Sequence, residues 1–303
     1  MPKLVALILT YNEEAHIKRC ISSIKNIVDE IVVVDSFSTD STTKILKSLN
    51  IEYYQNNWKN YASQFVYGAS HINQNDYILR IDADEYCDEE LLYSIETIKT
   101  RIDKFDGYYV NRWMTFIRSP ISFGGVFPTE MLRIYKNSSG TIESRWMDEH
   151  IVLNANTAST QRLKGKLIDD SLKSLSWWIN KHNGYASREA VDVLLQKYGF
   201  EVDSIAKKSL SSEAGFKRFL KESVYNHLPF FVGPTLYFCY RYFVRLGFLD
   251  GVAGFNFHFF QGFWYRFLVN SKVSEVENFM KHNNVELIEA INEILAINLN
   301  SKE

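Results

Sequence analysis

The tetrapeptide Asp82–Glu85 carries three carboxylates and directly follows a short apolar segment, Tyr77–Ile81. Such a segment is typical of a buried β-strand, and alternate residues of a strand point the same way, so Asp82 and Asp84 would present their carboxylates together. Carboxylate oxygens are hard ligands that Mg²⁺ or Mn²⁺ takes together with the phosphate oxygens of a substrate. The alternative is a solvated acidic turn, because residues 88–90 are also acidic and suit the start of a helix.

The elements that must position these carboxylates alternate between strands and helices. Apolar runs predict strands, and apolar residues at helical spacing predict helices between them. The strands are predicted at Leu4–Leu9, Ile31–Val34, Ile51–Gln55 and Tyr77–Ile81, with helices around residues 17–24, 42–49 and 61–72. This order predicts a doubly wound α/β domain, in which ligands bind at the carboxyl ends of the parallel strands.

The order of elements changes after Asp88. A helix to about Thr100 is followed by strands within Gly107–Ile117 and Met131–Tyr135, which predicts a mixed sheet. Residues 171–198 have a mostly helical pattern. We predict a catalytic domain over residues 1–210 and a helical region over residues 211–303.

Composition excludes several classes of protein. The 303 residues are 46% hydrophobic and 23% charged, which excludes a disordered chain, and the formal net charge of -2 argues against a nucleic acid partner. Three cysteines without a CxxC pair indicate neither a disulfide framework nor a structural zinc site, so we expect a reducing compartment. The first apolar run is too short and too soon followed by glutamates for a signal peptide, and we expect the chain to start as folded protein.

Three motifs together are similar to a known family. ILTYNEE (Ile8–Glu14), IVVVDSFSTDST (Ile31–Thr42) and RIDADEY (Arg80–Tyr86) resemble the inverting family 2 glycosyltransferases, most of all bacterial enzymes that extend lipopolysaccharide core or capsule glycans. The resemblance covers about the first 150 residues. It implies the GT-A nucleotide-diphospho-sugar transferase fold, a Rossmann-like α/β fold with a mixed, mostly parallel sheet, here with a helical, aromatic-rich C-terminal extension.

The resemblance also implies a set of donor-binding residues. Similar enzymes hold the nucleoside with the loop after the first strand and the acid after the second. Before the motif that corresponds to Asp82-Ala83-Asp84 (the DxD motif), they carry a Gln-basic-Asn stretch, and only its glutamine, Gln64, is present here. The phosphate contacts are therefore expected from Arg80 or Lys59. By this resemblance the nucleotide-sugar is held by Thr10, Tyr11, Asn12, Glu13, Asp35, Gln64, Arg80, Asp82, Ala83, Asp84 and Lys181.

The segment Asp148-Glu149-His150 is expected to supply the catalytic base. Relatives carry an acidic residue in this region that accepts the proton of the acceptor hydroxyl, and Glu149 matches their pattern better than Asp148. An inverting transfer needs one such base, while a metal ion stabilises the leaving diphosphate. His150 would bind the metal together with Asp84 and Asp82, or would orient Glu149.

Residues 216–270 are rich in aromatic side chains and carry six basic residues against two acidic ones. The uncharged stretch Ser223–Tyr240 is interrupted by proline, glycine, asparagine and histidine, which argues against a spanning helix. We predict a peripheral contact with the inner face of the cytoplasmic membrane, with aromatic residues at the interface and basic residues, Arg241 among them, toward anionic head groups. A buried helical hairpin or the interface of a homo-oligomer is the alternative.

The sequence therefore predicts a metal-dependent enzyme with Mn²⁺ or Mg²⁺. It would transfer a hexose from a nucleoside diphosphate, UDP in particular, to a lipid-linked glycan such as lipopolysaccharide core or capsule, on the cytoplasmic side of the membrane. A nucleotidyltransferase shares this layout but normally has a glycine-rich, basic loop after the first strand, which TYNEE lacks. A non-catalytic envelope scaffold or carbohydrate-binding protein is the third hypothesis.

Overall fold

The computed structural model describes residues 1–143, 149–154, 158–200 and 230–299. The chain divides into two compact units: Met1–Ser122 with Val126–Ser174, and Phe123–Gly125 with Leu175–Glu303. The boundary predicted between residues 210 and 211 lies outside the described residues. The helix that begins at Leu175 belongs to the second unit, although the sequence placed it in the catalytic domain.

Among the described residues, the first unit is built on a nine-stranded sheet and a separate two-stranded ladder. The strands of the sheet are β1 (Leu4–Thr10), β2 (Glu30–Asp35), β3 (Tyr53–Gln55), β4 (Tyr77–Arg80), β5 (Glu85–Cys87), β6 (Gly107–Phe116), β7 (Ser119–Pro120), β8 (Thr129–Lys136) and β11 (Thr160–Asp169). The ladder is formed by β9 (Gly140–Ile142) and β10 (Ile151–Leu153). The helices are α1 (Ile17–Ile24), α2 (Thr42–Ser48), α3 (Tyr61–Ala69) and α4 (Glu89–Lys99), with a 3₁₀ turn at Ile102–Lys104.

The strands follow the order β3-β2-β1-β4-β8-β6-β11-β5, with β7 paired to β6. β1 pairs in parallel with β2 and β4, β2 with β3, and β6 with β11. β8 runs antiparallel between β4 and β6, and β5 runs antiparallel to β11. Since β8 reverses direction on both sides, β6 and β11 run the same way as β1 to β4. The predicted α/β class with a mixed, mostly parallel sheet is confirmed.

The central strand β1 is buried on both faces, as its unbroken apolar sequence predicts. Leu4, Ala6 and Ile8 pack with residues of α1 and α4, whereas Val5 and Leu7 pack with residues of α3 on the opposite face. This alternation follows from the two-residue period of a strand. The sheet therefore lies between helices, and the carboxyl ends of β1, β2 and β4 meet at one edge.

The second unit is helical where it is described. Its helices are α5 (Leu175–Lys197), α6 (Val232–Cys239), α7 (Gly251–Phe257), α8 (Tyr265–Asn283) and α9 (Leu287–Leu295), with π-helical segments at Tyr240–Val244 and His258–Trp264 and a 3₁₀ turn at Gly247–Asp250. Small and branched residues of α5, α8 and α9 form its core. The predicted helical, aromatic-rich C-terminal region is confirmed. No helix among the described residues has both the length and the apolar character needed to cross a membrane.

Candidate functional site

Asp82 lies at the carboxyl end of β4, and both of its carboxylate oxygens contact protein donors. The Tyr61 hydroxyl on α3 donates to Oδ1 at 2.7 Å, and Nη1 of Arg133 on β8 is 3.5 Å from Oδ2. Burial would raise the pKa of Asp82, but the charges of Arg133 and Arg80 and the Tyr61 hydrogen bond hold it well below its ordinary value. Asp82 is therefore ionised at neutral pH, and with 32% of its side chain exposed it can still be reached from solvent.

Glu85 is the buried centre of a charge network behind this turn. Its Oε1 accepts from Nη2 of Arg133 at 2.7 Å and from Nε of Arg112 at 3.3 Å, and Arg112 also pairs with Asp169. Its Oε2 accepts from the backbone N–H of Asp82 at 3.0 Å. Burial raises the pKa of Glu85, and the charge of Arg133 opposes that rise. The network fixes the turn that carries both motif aspartates.

The main chain at Asp84 is held from the end of β11. Its carbonyl oxygen accepts from Nη2 of Arg19 at 3.2 Å and from the backbone N–H of Asp170 at 3.1 Å. Arg19 also pairs with the carboxylate of Asp170, which accepts in turn from the Thr115 hydroxyl. Ala83 is buried beside it, whereas Asp84 is half-buried at the sheet edge. Residues from three distant parts of the chain therefore set the position of Asp84.

The loop after β1 is joined to the loop after β2 through Asn12. Asn12 has a left-handed backbone conformation (φ 56°), which asparagine tolerates better than most residues. Its Oδ1 accepts from the backbone N–H groups of Thr39 at 2.8 Å and Asp40 at 3.3 Å, while its own N–H donates to the Ser38 hydroxyl. Asn12 thus holds the two loops together, and Tyr11 beside it is 57% exposed.

Glu13 connects the same loop to the segment that follows β11. Its Oε1 accepts from Nζ of Lys173 at 2.8 Å, and its Oε2 lies 2.6 Å from Nδ1 of His16. Nε2 of His16 accepts from the backbone N–H of Leu172 at 2.7 Å, so the ring proton must be on Nδ1 and is donated to Glu13. His16 is therefore a neutral, fully buried bridge between the two segments.

Asp35, at the end of β2, is fully buried and bonded by the protein. Its Oδ1 accepts from the Thr10 and Ser38 hydroxyls, and its Oδ2 from the Ser38 N–H at 2.9 Å and the Gln55 amide at 3.3 Å. Four donors match the acceptor capacity of a carboxylate. Gln64 is likewise buried, with both ends of its amide bonded within the protein. Both side chains therefore support the site through hydrogen bonds within the protein.

Arg80 connects the end of β4 to the region predicted to hold the base. Its guanidinium carbon lies 4.7 Å from the centre of the Tyr61 ring, its Nε donates to the Tyr61 hydroxyl at 3.1 Å, and its Nη1 donates to the backbone carbonyl of Glu149 at 2.8 Å. Glu149 is half-buried and His150 is exposed, while Asp148 lies outside the described residues. The main chain at Glu149 is thus brought to the carboxyl end of β4.

No three His, Cys, Asp or Glu side chains of the described residues form a group that could hold a metal ion. Asp82, Asp84 and His150, predicted as metal ligands, are therefore not assembled as a ligand set. The two aspartates still fit a divalent cation, because Mg²⁺ and Mn²⁺ are commonly bound by one or two carboxylates and completed by substrate phosphates and water. The role of His150 as a further ligand stays a prediction.

Lys181, predicted to contact a phosphate, lies on α5 in the second unit. Its ammonium is 4.9 Å from the ring centre of Trp177 and 5.7 Å from that of Tyr185. Large apolar side chains are exposed in the same unit, among them Phe231, Phe243, Val244, Leu249 and Val252. Arg241 is only 2% exposed, so its charge does not belong to the basic surface on which the sequence placed it.

The sequence does not predict four residues of the network: Tyr61, Arg112, Arg19 and Asp170. Nothing in the pattern around them distinguishes them from ordinary surface or turn residues. Arg133 does leave a signal, because it lies between apolar residues of β8 and a buried arginine needs a carboxylate partner. That partner, Glu85, is adjacent to the DxD motif in sequence, and the signal therefore points to the site.

Comparison with known proteins adds to this geometry. The family model described as Glycosyl transferase family 2 matches residues 5–120, which include the loop after β1, Asp35 and Asp82–Asp84. An uncharacterized glycosyltransferase of Rickettsia prowazekii is 33% identical over 207 residues, which is 65% of this chain and 70% of that protein. LpsC of Rhizobium meliloti, a lipopolysaccharide core biosynthesis glycosyltransferase, is 29% identical over 198 residues, which is 63% of this chain and 72% of that protein. Among solved structures, S. aureus TarS 1-349 in complex with UDP-GlcNAc is 16% identical with a TM-score of 0.45, and the match covers 96% of this chain and 90% of TarS.

Proposed function

We propose that this chain, which belongs to glycosyltransferase family 2, transfers a hexose from a nucleoside diphosphate, UDP in particular, to a lipid-linked bacterial glycan with inversion at the anomeric carbon. The observation that carries the proposal is the ionised, solvent-reachable Asp82 beside Asp84 at the carboxyl end of β4. Ligands of open α/β folds bind at that edge of the sheet.

The nucleoside is proposed to lie against the two joined loops. Tyr11 is exposed there and offers a ring face, while Asn12 and Glu13 hold the loop shape through their own hydrogen bonds. Asp35 keeps the Thr10 and Ser38 hydroxyls in place at the back of the site. Gln64, Arg80 and Lys181 remain proposed donor-site residues, the first two through the position that they give to neighbouring groups.

Asp84 is the proposed principal ligand of Mn²⁺ or Mg²⁺, and Asp82, which Tyr61 and Arg133 hold in place, is the proposed second carboxylate. A bound divalent cation would supply positive charge that stabilises the diphosphate as it leaves. Arg19 and Asp170 keep the main chain of Asp84 in place for that role.

Glu149 is the proposed base, with Asp148 as the alternative. It takes the proton of the acceptor hydroxyl while that oxygen bonds to the anomeric carbon and the bond from this carbon to the diphosphate oxygen breaks. The Arg80 hydrogen bond to its carbonyl fixes its main chain near β4.

The acceptor and its location are proposed from two further observations. A relative of this chain is named a lipopolysaccharide core biosynthesis glycosyltransferase, which supports a lipid-linked glycan such as lipopolysaccharide core or capsule as acceptor. The exposed apolar side chains of the second unit support peripheral contact with the cytoplasmic face of the inner membrane through residues 216–270, of which 216–229 lie outside the described residues. The same surface would also serve a homo-oligomer.

Thermal stabilisation by nucleotides tests the proposal. UDP with Mn²⁺ should raise the melting temperature of the wild type, because a ligand that binds only the folded state stabilises it. Asp84→Asn should lose the Mn²⁺-dependent part of the shift and should abolish transfer, whereas the exposed control Glu96→Gln should keep both. A shift that is unchanged in Asp84→Asn would contradict the metal role, and no shift with UDP, GDP or CDP would contradict the donor class.

A further inference from the structure

The second unit contains buried nitrogen donors that have no hydrogen-bond partner. Arg241 lies on the π-helical segment Tyr240–Val244, and its Nε and Nη2 are buried without a partner. Its Nη1 lies 3.5 Å from the side-chain oxygen of Gln261, and the Tyr237 hydroxyl is a further hydrogen-bond partner of the guanidinium. His258, at the start of the second π-helical segment, is 0% exposed, and neither of its ring nitrogens has a partner. Buried polar groups are normally satisfied, so this set calls for an explanation.

Arg266 on α8 belongs to the same cluster. Its guanidinium carbon lies 4.2 Å from the centre of the Tyr237 ring, and that of Arg241 lies 5.4 Å from the same centre. Against the effect of burial, the charges of Arg266 and Arg241 lower the pKa of Tyr237. Two cations are thus gathered at one aromatic ring, and Nε of Arg266 is also buried without a partner.

The positive charge of this cluster is not balanced by the described residues. No carboxylate among them forms an ion pair with Arg241 or Arg266. Burial lowers the pKa of Arg241, and the neighbouring charge of Arg266 lowers it further. A buried guanidinium without a counter-charge is strongly unfavourable, so the cluster is arranged for an anion.

Two glycines pack closely against the His258 ring. A Cβ atom at Gly124 would lie 2.0 Å from the His258 ring, and one at Gly247 would lie 2.4 Å from it. Both positions thus require glycine for the ring to stand where it does. A Cβ atom at Gly262 would be 3.5 Å from Nη1 of Arg241, in ordinary contact. Close packing against Gly124 and Gly247 therefore fixes the position of the His258 ring.

We propose that Arg241, Arg266 and His258 form an anion site in the second unit that takes a phosphate group. The planar forks of two guanidinium groups match phosphate oxygens in pairs, and a histidine N–H supplies a further donor. Arg266 and Tyr237 are partly exposed. The phosphate belongs to a lipid head group or to a soluble phosphate compound.

Melting temperatures of the full chain test the site. Phosphate at 20 mM, compared with sodium chloride of equal ionic strength, should raise the melting temperature of the wild type by about 3 °C. Arg266→Gln should lose most of this shift, and Lys281→Gln, which removes an exposed charge of the same unit, should keep it. Arg241→Gln should behave as Arg266→Gln does, and if it fails to fold, the half-buried Arg266 still decides. The UDP shift should persist in Arg266→Gln, which separates this site from the nucleotide site.

Vesicles distinguish the two sources of the phosphate. If the source is a lipid, binding to vesicles that contain phosphatidylglycerol should fall about 5-fold in Arg266→Gln relative to Lys281→Gln, and soluble phosphate should compete. Equal vesicle binding by the two variants, with a phosphate shift that still depends on Arg266, would assign the site to a soluble phosphate compound. An equal phosphate shift in the wild type and both variants, or no shift in the wild type, would overturn the proposal.

Discussion

Replacing Arg133 by methionine removes a buried cation and preserves most of the side-chain volume. Arg133 and Glu85 are each 1% exposed and pair at 2.7 Å, so the substitution leaves a buried carboxylate that has lost its nearest partner. Removing one member of such a pair costs about 3–5 kcal/mol. Glu85 keeps Arg112 at 3.3 Å and the backbone N–H of Asp82, and we therefore expect the lower end, about 3 kcal/mol.

A double-mutant cycle separates the pair from ordinary packing. Glu85→Gln should cost a similar amount, because Arg133 then keeps only one carboxylate partner, Asp82 at 3.5 Å. The double variant should lose about 2 kcal/mol less than the sum of the two single losses, since neither charge is then left without its partner. Urea denaturation of the full chain, followed by circular dichroism, measures all three free energies of unfolding.

The matched control is an ion pair of the same chemistry in the same unit. Arg162 and Glu130 pair at 3.0 Å, but their side chains are 76% and 44% exposed. Arg162→Met should therefore cost less than about 1 kcal/mol. A loss in Arg133→Met no larger than in Arg162→Met, or strictly additive single losses, would refute the buried network as a source of stability.

Three further predictions test other parts of the structure by the same denaturation assay. Gly68→Ala places a Cβ atom 2.5 Å from a leucine methyl group and should cost about 1–3 kcal/mol. Gly184 is also helical, but a Cβ atom there would have nothing within 4 Å, so Gly184→Ala should stabilise the protein by about 0.5 kcal/mol. Equal effects of the two substitutions would contradict the packing of α3. Thr10→Val keeps the shape but removes the hydroxyl bonded to buried Asp35, with an expected loss of about 1–2 kcal/mol, and no loss would show that this bond contributes nothing. Burial and the nearby Arg241 lower the pKa of His258 to about 4, so the folded state binds this proton less readily than the unfolded state. The free energy of unfolding of the wild type should therefore fall by as much as about 3 kcal/mol between pH 6.5 and pH 4. His258→Gln should lack this contribution to the fall.

The parallel half of the sheet follows directly from its sequence. Leu4–Leu9 and Tyr77–Ile81 were predicted as strands, and the structure has them at Leu4–Thr10 and Tyr77–Arg80. Unbroken apolar runs are informative here because both faces of these strands are buried. The alternative that acidic residues after the motif start a helix is correct for Asp88, whose carboxylate accepts from the backbone N–H of Leu91 at 2.9 Å. Asp88 is therefore the residue that caps α4.

The partners of the charged residues could not be predicted. Arg19 pairs with Asp170 across 151 residues of sequence, and Arg112 pairs with Asp169 across 57. Periodicity reports which face of an element is buried, but not which charge of another element lies opposite. The burial of Arg241 was missed for the same reason, because a basic residue in an aromatic segment has the same pattern on a surface and beneath one.

The hydrogen bonds to the carbonyl oxygen of Asp84 also set an order of assembly during synthesis. One donor belongs to Arg19 and the other to Asp170, which leaves the ribosome long after the motif itself. A nascent chain that ends before β11 has the motif aspartates, but it lacks the donor from Asp170 and the pairing of edge strand β5 with β11. The turn is thus completed only when nearly the whole first unit has been made, and a chain interrupted earlier should not acquire a competent site.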